Sequence, residues 1–296
     1  MTPARVTSAG SGEAARRTGS QAVERALALL RSFESGPPTR SLSELAQQNG
    51  LFPGTAHRLL RALCAAGLLQ QDRWTERYAL GAVLVALGSR AGDALGISAA
   101  RPVLESLAAT TGESVNLGVR DGDHVFVLVC VPSARGLRFD QKEGTRVPSH
   151  ASAMGKVLLA FDGCSGEVVD SMRRFTKLTE STITTRAALR RALEETQARG
   201  WAINDEEREP GVRTIAAPVR TADGSAVAAV AVQGPSLRMT DERIEEALPT
   251  LFAAADEVSF RLSHWGLYLP RVAAAGQPAA SRNGSRHLSV SSDSSA

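Results

Sequence analysis

Between Ser41 and Gly81 the chain carries two short helical patterns split by a glycine turn and followed at once by a basic hairpin, an order of elements that few folds accommodate. Leu42, Leu45 and Ala46 recur at i, i+3 and i+4, so Ser41 or Ser43 is expected to cap a short helix that stops at Asn49-Gly50. Gly50 suits the left-handed closure, Pro53 sets φ for a new start, and Thr55 is expected to cap or support the next first turn. In this second helix Ala56, Leu59, Leu60 and Leu63 form the stripe to be buried. Gly54, Arg58 and Arg61 are left on an open face, with His57 and Ala65 beside it. Residues 68–71 and 77–80 read as two strands joined by Asp72-Arg73-Trp74-Thr75-Glu76, with Tyr78 and Leu80 turned inward.

This pattern implies a winged helix that meets double-stranded DNA. The open face would enter a major groove, where the planar fork of arginine pairs with guanine O6 and N7 or clamps a phosphate. Gly54 lets the backbone approach, and the unbonded amides of a first turn favour a phosphate. Arg73 and Arg77 are expected to straddle the backbone beside the groove. The expected DNA-contacting set is therefore Ser41, Ser43, Gly54, Thr55, His57, Arg58, Arg61, Arg73 and Arg77. Within it, His57 suits packing or a phosphate better than a base. Charge agrees with this division: residues 1–80 hold ten arginines, no lysine and six carboxylates, a balance of +4 against +3 for the whole chain. Everything after Leu80 thus sums to −1, the asymmetry expected when one part meets phosphates and the other does not.

With 296 residues and 43% hydrophobic content the chain can build two cores. No apolar run approaches the ~20 residues that span a bilayer, and no signal-peptide pattern follows the first arginines, so a cytoplasmic protein with no membrane partner is expected. Cys64, Cys130 and Cys164 are too few and too scattered for a disulfide framework or a metal site, and each is expected to be a small buried hydrophobe. No cofactor, metal or catalytic residue is expected. Residues 1–19 and 269–296 read as disordered arm and tail, although Arg16 and Arg17 suit non-specific attraction to DNA. Residues 20–81 form the winged module, whose first helix runs from about Gln21 to Ser35 on Val23, Ala26, Leu27, Leu30 and Phe33. Residues 82–96 form an apolar linker helix, too short to stand alone in water. Packing against its copy in a second chain makes a dimer, and hence an operator with two half-sites.

Residues 97–268 read as a mixed α and β domain. A helix over 99–111 precedes strands over 114–120 and 124–131, joined by Asp121-Gly122, and a weaker strand over 137–141. A run of small residues from Ser149 leads into a short helix ending at Ala160. Two readings are open there: a first turn that cradles an anion, or a tight packing turn, with Lys156 a solvated side chain. A helix over 185–199 stops at Gly200, a strand starts at Trp201, and the acidic stretch 205–211 reads as a solvated loop rather than a metal or acid–base site. Strands over 213–220 and 226–233 flank Asp223-Gly224, and Thr240 caps a long last helix.

Several of these stretches carry a resemblance. Val23-Glu24-Arg25-Ala26-Leu27, Leu42-Ser43-Glu44-Leu45-Ala46, Thr55-Ala56-His57-Arg58-Leu59-Leu60 and Arg77-Tyr78-Ala79-Leu80-Gly81 closely resemble the IclR family of bacterial transcription regulators. His150-Ala151-Ser152-Ala153-Met154-Gly155-Lys156, Glu206-Glu207-Arg208-Glu209-Pro210-Gly211-Val212-Arg213 and Ala216-Ala217-Pro218-Val219 look like that family's effector domain. The resemblance implies an N-terminal winged helix-turn-helix, a dimerising linker helix and a GAF-like C-terminal domain around an antiparallel sheet, an α+β architecture. It also implies homodimers or dimers of dimers, repression more often than activation, control by an organic acid or an aromatic or polar metabolite, and no catalysis. By position the effector carboxylate meets the backbone at Ala153 and Met154, and its other polar contacts come from Asn204, Thr214, Ala231 and Gln233. Acid-binding relatives carry hydroxyls where this chain has Ala231 and Gln233, and an acidic side chain where it has Asn204. A larger or less charged ligand, bearing amide or hydroxyl groups, is therefore expected rather than glyoxylate or pyruvate. Two rival readings stand beside this one: an enzyme using His150 or the Glu206-Glu207 loop as base, and a DNA-binding scaffold without a ligand.

Overall fold

A computed structural model describes residues 11–139, 141–162 and 165–264. The described residues divide into two compact units, 11–106 with 257–264, and 107–256. The division falls inside two helices rather than at the expected 96/97 boundary. Residues 1–10, the tail 269–296 and Cys164 lie outside the described residues.

The first unit begins with α1, Ser11–Arg31, ahead of the expected start near Gln21. Its early turns include Glu13, Ala14, Ala15, Arg16 and Arg17, strong helix formers that extend it into the supposed arm. Leu29 is fully buried, whereas Val23 and Leu27, expected in the stripe, stay exposed. Helix α2, Leu42–Gln48, is capped by Ser41 in a capping box: the Ser41 hydroxyl accepts from Glu44 N, and the Glu44 carboxylate accepts from Ser41 N at 2.7 Å. Gly50 sits at φ +60 as the turn requires. Helix α3, Pro53–Ala65, then starts with Phe52 in the N-cap position and Pro53 in its first turn, with no side-chain cap. The cap expected from Thr55 is absent, because proline's fixed φ starts the helix two residues earlier. Leu29, Leu45, Leu60, Leu63, Leu69 and Tyr78 make one core.

The wing is β1, Leu69–Gln71, paired antiparallel with β2, Tyr78–Leu80. Tyr78 is buried as expected, but Leu80, on the same face at the end of the strand, is exposed. Arg40 adds a bridge, its N donating to Tyr78 O and its O accepting from Tyr78 N. Helix α4, Val83–Ala94, has no buried residue, and Val85 is 76% exposed. Helix α5, Ile97–Thr111, completes the unit with its first ten residues. No single helix among the described residues is long and apolar enough to cross a membrane; α4 and α5 pass that test only together, as a pair bent by 75°.

The second unit is built on a six-stranded antiparallel sheet. Its strands are β3 (Ser114–Asp121), β4 (His124–Val131), β5 (Arg146–Pro148), β6 (Ala202–Asp205), β7 (Val212–Arg220) and β8 (Ala226–Pro235), in the order β5-β4-β3-β8-β7-β6. The described residues of the expected strand over 137–141 form none; the edge position belongs to β5, whose Val147 is buried where Leu137 is exposed. Helix α6, Ala153–Ala160, lies on one face, and every one of its eight residues is buried. Ser152 caps it through Gly155 N at 3.1 Å. A Cβ on Gly155 would come within 2.3 Å of Ser149 Cα and O, so only glycine lets the preceding turn close on the helix. Helix α7, Ser165–Ser171, was not visible as a period, whereas α8, Arg186–Arg199, runs between the Thr185 cap and Gly200 at φ +85 as expected. The last helix, α9, Asp241–His264, carries two acidic residues in its first turn.

Two readings of this unit are overturned. Lys156 is not solvated: it points from α6 into the interior, 3% exposed, and pairs with the buried carboxylate of Glu207. The acidic stretch is therefore not a solvated loop, because Glu207 supplies the countercharge and Thr179 and Thr182 donate to the carbonyls of Glu206 and Glu207, each at 2.7 Å. Burial pushes the Lys156 amine down and the Glu207 carboxyl up from their ordinary values, and the pair opposes both shifts. Removing one partner strands the other in the core. Lys156→Met or Glu207→Leu alone is expected to cost about 3 to 5 kcal/mol in urea unfolding, and the double substitution to recover most of that loss. Near-zero losses for both single variants would contradict the buried pairing.

Candidate regulatory sites

A small polar network joins the wing of the first unit to the start of α2. Arg77 donates from Nη2 to Glu44 Oε2 at 2.9 Å and to Thr39 O at 3.0 Å, and from Nε to Thr39 Oγ1 at 3.1 Å. Because Glu44 also closes the capping box on Ser41, one carboxylate joins the start of α2 to the wing. Burial is slight here, and the Ser41 amide, then Arg77, hold the Glu44 carboxyl below its usual range. Ser41 and Arg77 thus also serve the architecture of the module. At the tip, Asp72 Oδ1 accepts from Trp74 N, Thr75 N and Thr75 Oγ1 at 2.7 to 3.0 Å, and Glu76 takes φ +54. This closed turn holds Arg73 and Trp74 outward, Trp74 at 86% exposure.

On α3 the open face is as the periodicity predicts. Gly54, His57, Arg58 and Arg61 are exposed, Thr55 is half-buried, and Ser43 is exposed on α2. A Cβ built on Gly54 would meet nothing within 4 Å, so the first turn offers an unobstructed backbone. Arg25 of α1 lines a shallow hollow with Thr55 and Arg58, adding a third arginine beside that turn. It belongs to the same basic surface and was missed because it lies on a different helix.

In the second unit the strand register gathers the expected effector residues. Asn204 pairs with Thr214, Thr214 with Gln233, and Gln233 with Ser114, so these four residues form one polar row across β6, β7, β8 and β3 on the same sheet face. The adjacent row is Ala202, Ala216, Ala231 and Asn116, and its alanines pack with Ala153, Met154, Val157 and Leu158 of α6. All six residues carried over from the resemblance are buried on this face or at the head of α6. The amides of Ala153 and Met154 precede the first intrahelical bond of α6, which runs from Lys156 N to Ser152 O at 3.0 Å, so they present the partial positive charge of a helix start.

Asn116 escaped the sequence reading. It lies on β3, where alternation alone placed it in a hairpin, yet its Nδ2 donates to Gln233 Oε1 at 3.2 Å and its Oδ1 is buried without a hydrogen-bond partner. Asn204 is held in turn: its Oδ1 accepts from Glu207 N at 2.8 Å, which links the polar row to the Lys156–Glu207 pair. A separate cleft of about 600 Å³, lined by Glu113, Arg135, Arg238 and Thr250, also touches Val232, which alternates with Ala231 and Gln233 and so belongs to the opposite face.

The groups named for an enzymatic reading are otherwise engaged. His150 is buried, its Nε2 lies 3.2 Å from Thr176 O, its ring stands edge-on to Phe175, and burial holds its imidazole below the ordinary range. Among the described residues no three His, Cys, Asp or Glu side chains come together as a metal site. Cys64 and Cys130 are half-buried rather than fully buried.

Residues 22–73 match the IclR helix-turn-helix domain, and residues 95–260 match the bacterial transcriptional regulator IclR C-terminal domain. The chain is 37% identical over 253 residues to the HTH-type transcriptional regulator BhcR of Paracoccus denitrificans, covering 83% of this chain and 88% of that one. It is 39% identical over 221 residues to the glycerol operon regulatory protein of Streptomyces griseus, covering 74% and 86%. A solved transcriptional regulator structure from Rhodococcus sp. RHA1 superposes with a TM-score of 0.73 at 31% identity, covering 83% of this chain and 99% of that one. With an N-terminal DNA-binding module and a C-terminal effector domain, the chain belongs to the IclR family, whose members are transcriptional regulators and not enzymes.

Proposed function

We propose that this regulator represses a metabolic operon by holding a two-half-site operator, and that a small molecule in the second unit releases it. The observation that carries the reading is the buried polar row of Asn204, Thr214 and Gln233 beside two helix-start amides, an arrangement suited to a ligand with a carboxylate at one end and hydrogen-bonding groups at the other. Ala153 and Met154 take the carboxylate. Asn204, Thr214, Gln233 and Asn116 take the polar end, to which Ala231 adds no hydrogen-bonding group. The unpartnered Asn116 Oδ1 favours a ligand that donates, hence one bearing hydroxyl or amide groups. Relatives named as operon regulators support a metabolic operon.

The bare apolar surface of α4, with Val83, Val85 and Leu87 exposed, supports pairing with the same helix of a second copy, as a homodimer or a dimer of dimers. Each copy then brings one recognition helix to one half-site, and GAF-like effector domains set the population in which both fit. Arg58 and Arg61 read base edges. Arg73, on the rigid wing tip, takes phosphate.

Two outcomes test these assignments. Arg58→Ala or Arg61→Ala is expected to weaken a selected operator by ~1 to 3 kcal/mol while leaving random DNA nearly unchanged, and Arg73→Ala to weaken both alike. Equal losses on the two DNAs for Arg58→Ala and Arg61→Ala, read by fluorescence anisotropy, would refute base reading. For the ligand, hydroxyl- or amide-bearing carboxylates are expected to raise the melting temperature. Ala231→Ser, which restores a hydroxyl, should shift preference toward two- and three-carbon acids. Calorimetry in which only those small acids bind the unaltered chain would overturn the ligand class.

A further inference from the structure

Phe52 is out of keeping with its place in the fold. It stands at the N-cap of α3, a position where serine, threonine, aspartate or asparagine would satisfy a free amide, and it supplies no side-chain bond. Its aromatic ring is 85% exposed, so it adds almost nothing to the core either. Its backbone is nonetheless well held: the Phe52 carbonyl accepts from Thr55 N at 2.9 Å and from Ala56 N at 3.0 Å, with φ −65 and ψ 140. The ring is thus an apolar group on a well-held backbone at the start of the recognition helix, two residues before Gly54 and nearly two turns before Arg58. Such a residue stabilises nothing in the free module, and its return comes in a complex.

We infer that Phe52 reads a thymine methyl group in the major groove. The inference rests on the reading of α3 as the recognition helix. The N-terminal residues of such a helix approach the base edges, and the one apolar feature a base pair presents there is the thymine C5 methyl, for which phenylalanine is a suitable partner. Charge complementarity sets the occupant: exposed Arg58 and Arg61 on the same helix, with Arg25 nearby, direct this end of the module to a polyanion rather than to an apolar protein surface. A half-site containing guanine for the arginines and a thymine for Phe52 follows.

The test uses DNA selected from a random pool by the full chain. Each thymine of the selected half-site is replaced in turn by deoxyuridine, which lacks only the methyl, and affinity is read by fluorescence anisotropy. One replacement per half-site should weaken the unaltered chain about fourfold, the worth of one buried methyl. Phe52→Ala should bind the thymine and uracil forms equally while melting at the same temperature, because the ring is solvent-exposed. Trp74→Ala, which removes the exposed aromatic of the wing, should keep the fourfold discrimination. Selection with no uracil effect, or with the same effect in Phe52→Ala, overturns the inference and leaves the regulator reading intact. Failure of the unaltered chain to select any sequence overturns both.

Discussion

The ion pair between Lys156 and Glu207 governs the effector unit. An ammonium carried into the interior by a fully buried helix is tolerated only if a carboxylate meets it, and the carboxylate comes from a loop 51 residues later. That requirement fixes the loop. Once Glu207 is placed, its amide fixes Asn204, its carbonyl is held by Thr182, and the polar row keeps its register against the head of α6. The small side chains beneath the helix, Ala202, Ala216, Ala229 and Ala231, follow from the same closeness, since α6 lies on them directly.

Local chemistry made much of this legible. Capping residues, left-handed glycines and aspartate-glycine turns mark element ends through interactions within a few residues, so α2, α8 and the β3–β4 hairpin stand where the pattern puts them. Tertiary partners were not legible. Lysine beside Gly155 and a run of carboxylates near Glu207 each describe a solvated surface when taken alone, and only the packing of α6 joins them. Asn116 fell out of view for the same reason: alternation tells which face a strand residue occupies but not which strand lies beside it. The bracing of the capping box by Arg77 was hidden for the same reason, since Glu44 lies 33 residues away in sequence.

The DNA-binding unit shows the reverse balance. Its rigid parts are the wing and the start of α2, bound together by Glu44, while its open face holds groups that contact little within the chain. A recognition surface has to be so: side chains that read DNA keep their hydrogen-bonding and apolar potential unfilled until the partner arrives, and a stiff frame limits the entropy lost on binding. Under the proposed function, Asn116 Oδ1, buried without a hydrogen-bond partner, would follow the same principle inside the effector unit.

Both units belong to one switch only if their binding free energies are coupled. Thermodynamic linkage makes that coupling reciprocal, so the factor by which a ligand lowers operator affinity must equal the factor by which operator lowers ligand affinity. The most direct measurement is calorimetry of one hydroxyl-bearing carboxylate that raises the melting temperature, titrated into the full chain alone and into the chain saturated with selected operator. The account predicts ligand affinity reduced on the operator, by the same factor as the loss of DNA affinity. Unchanged ligand affinity in the two titrations would contradict it.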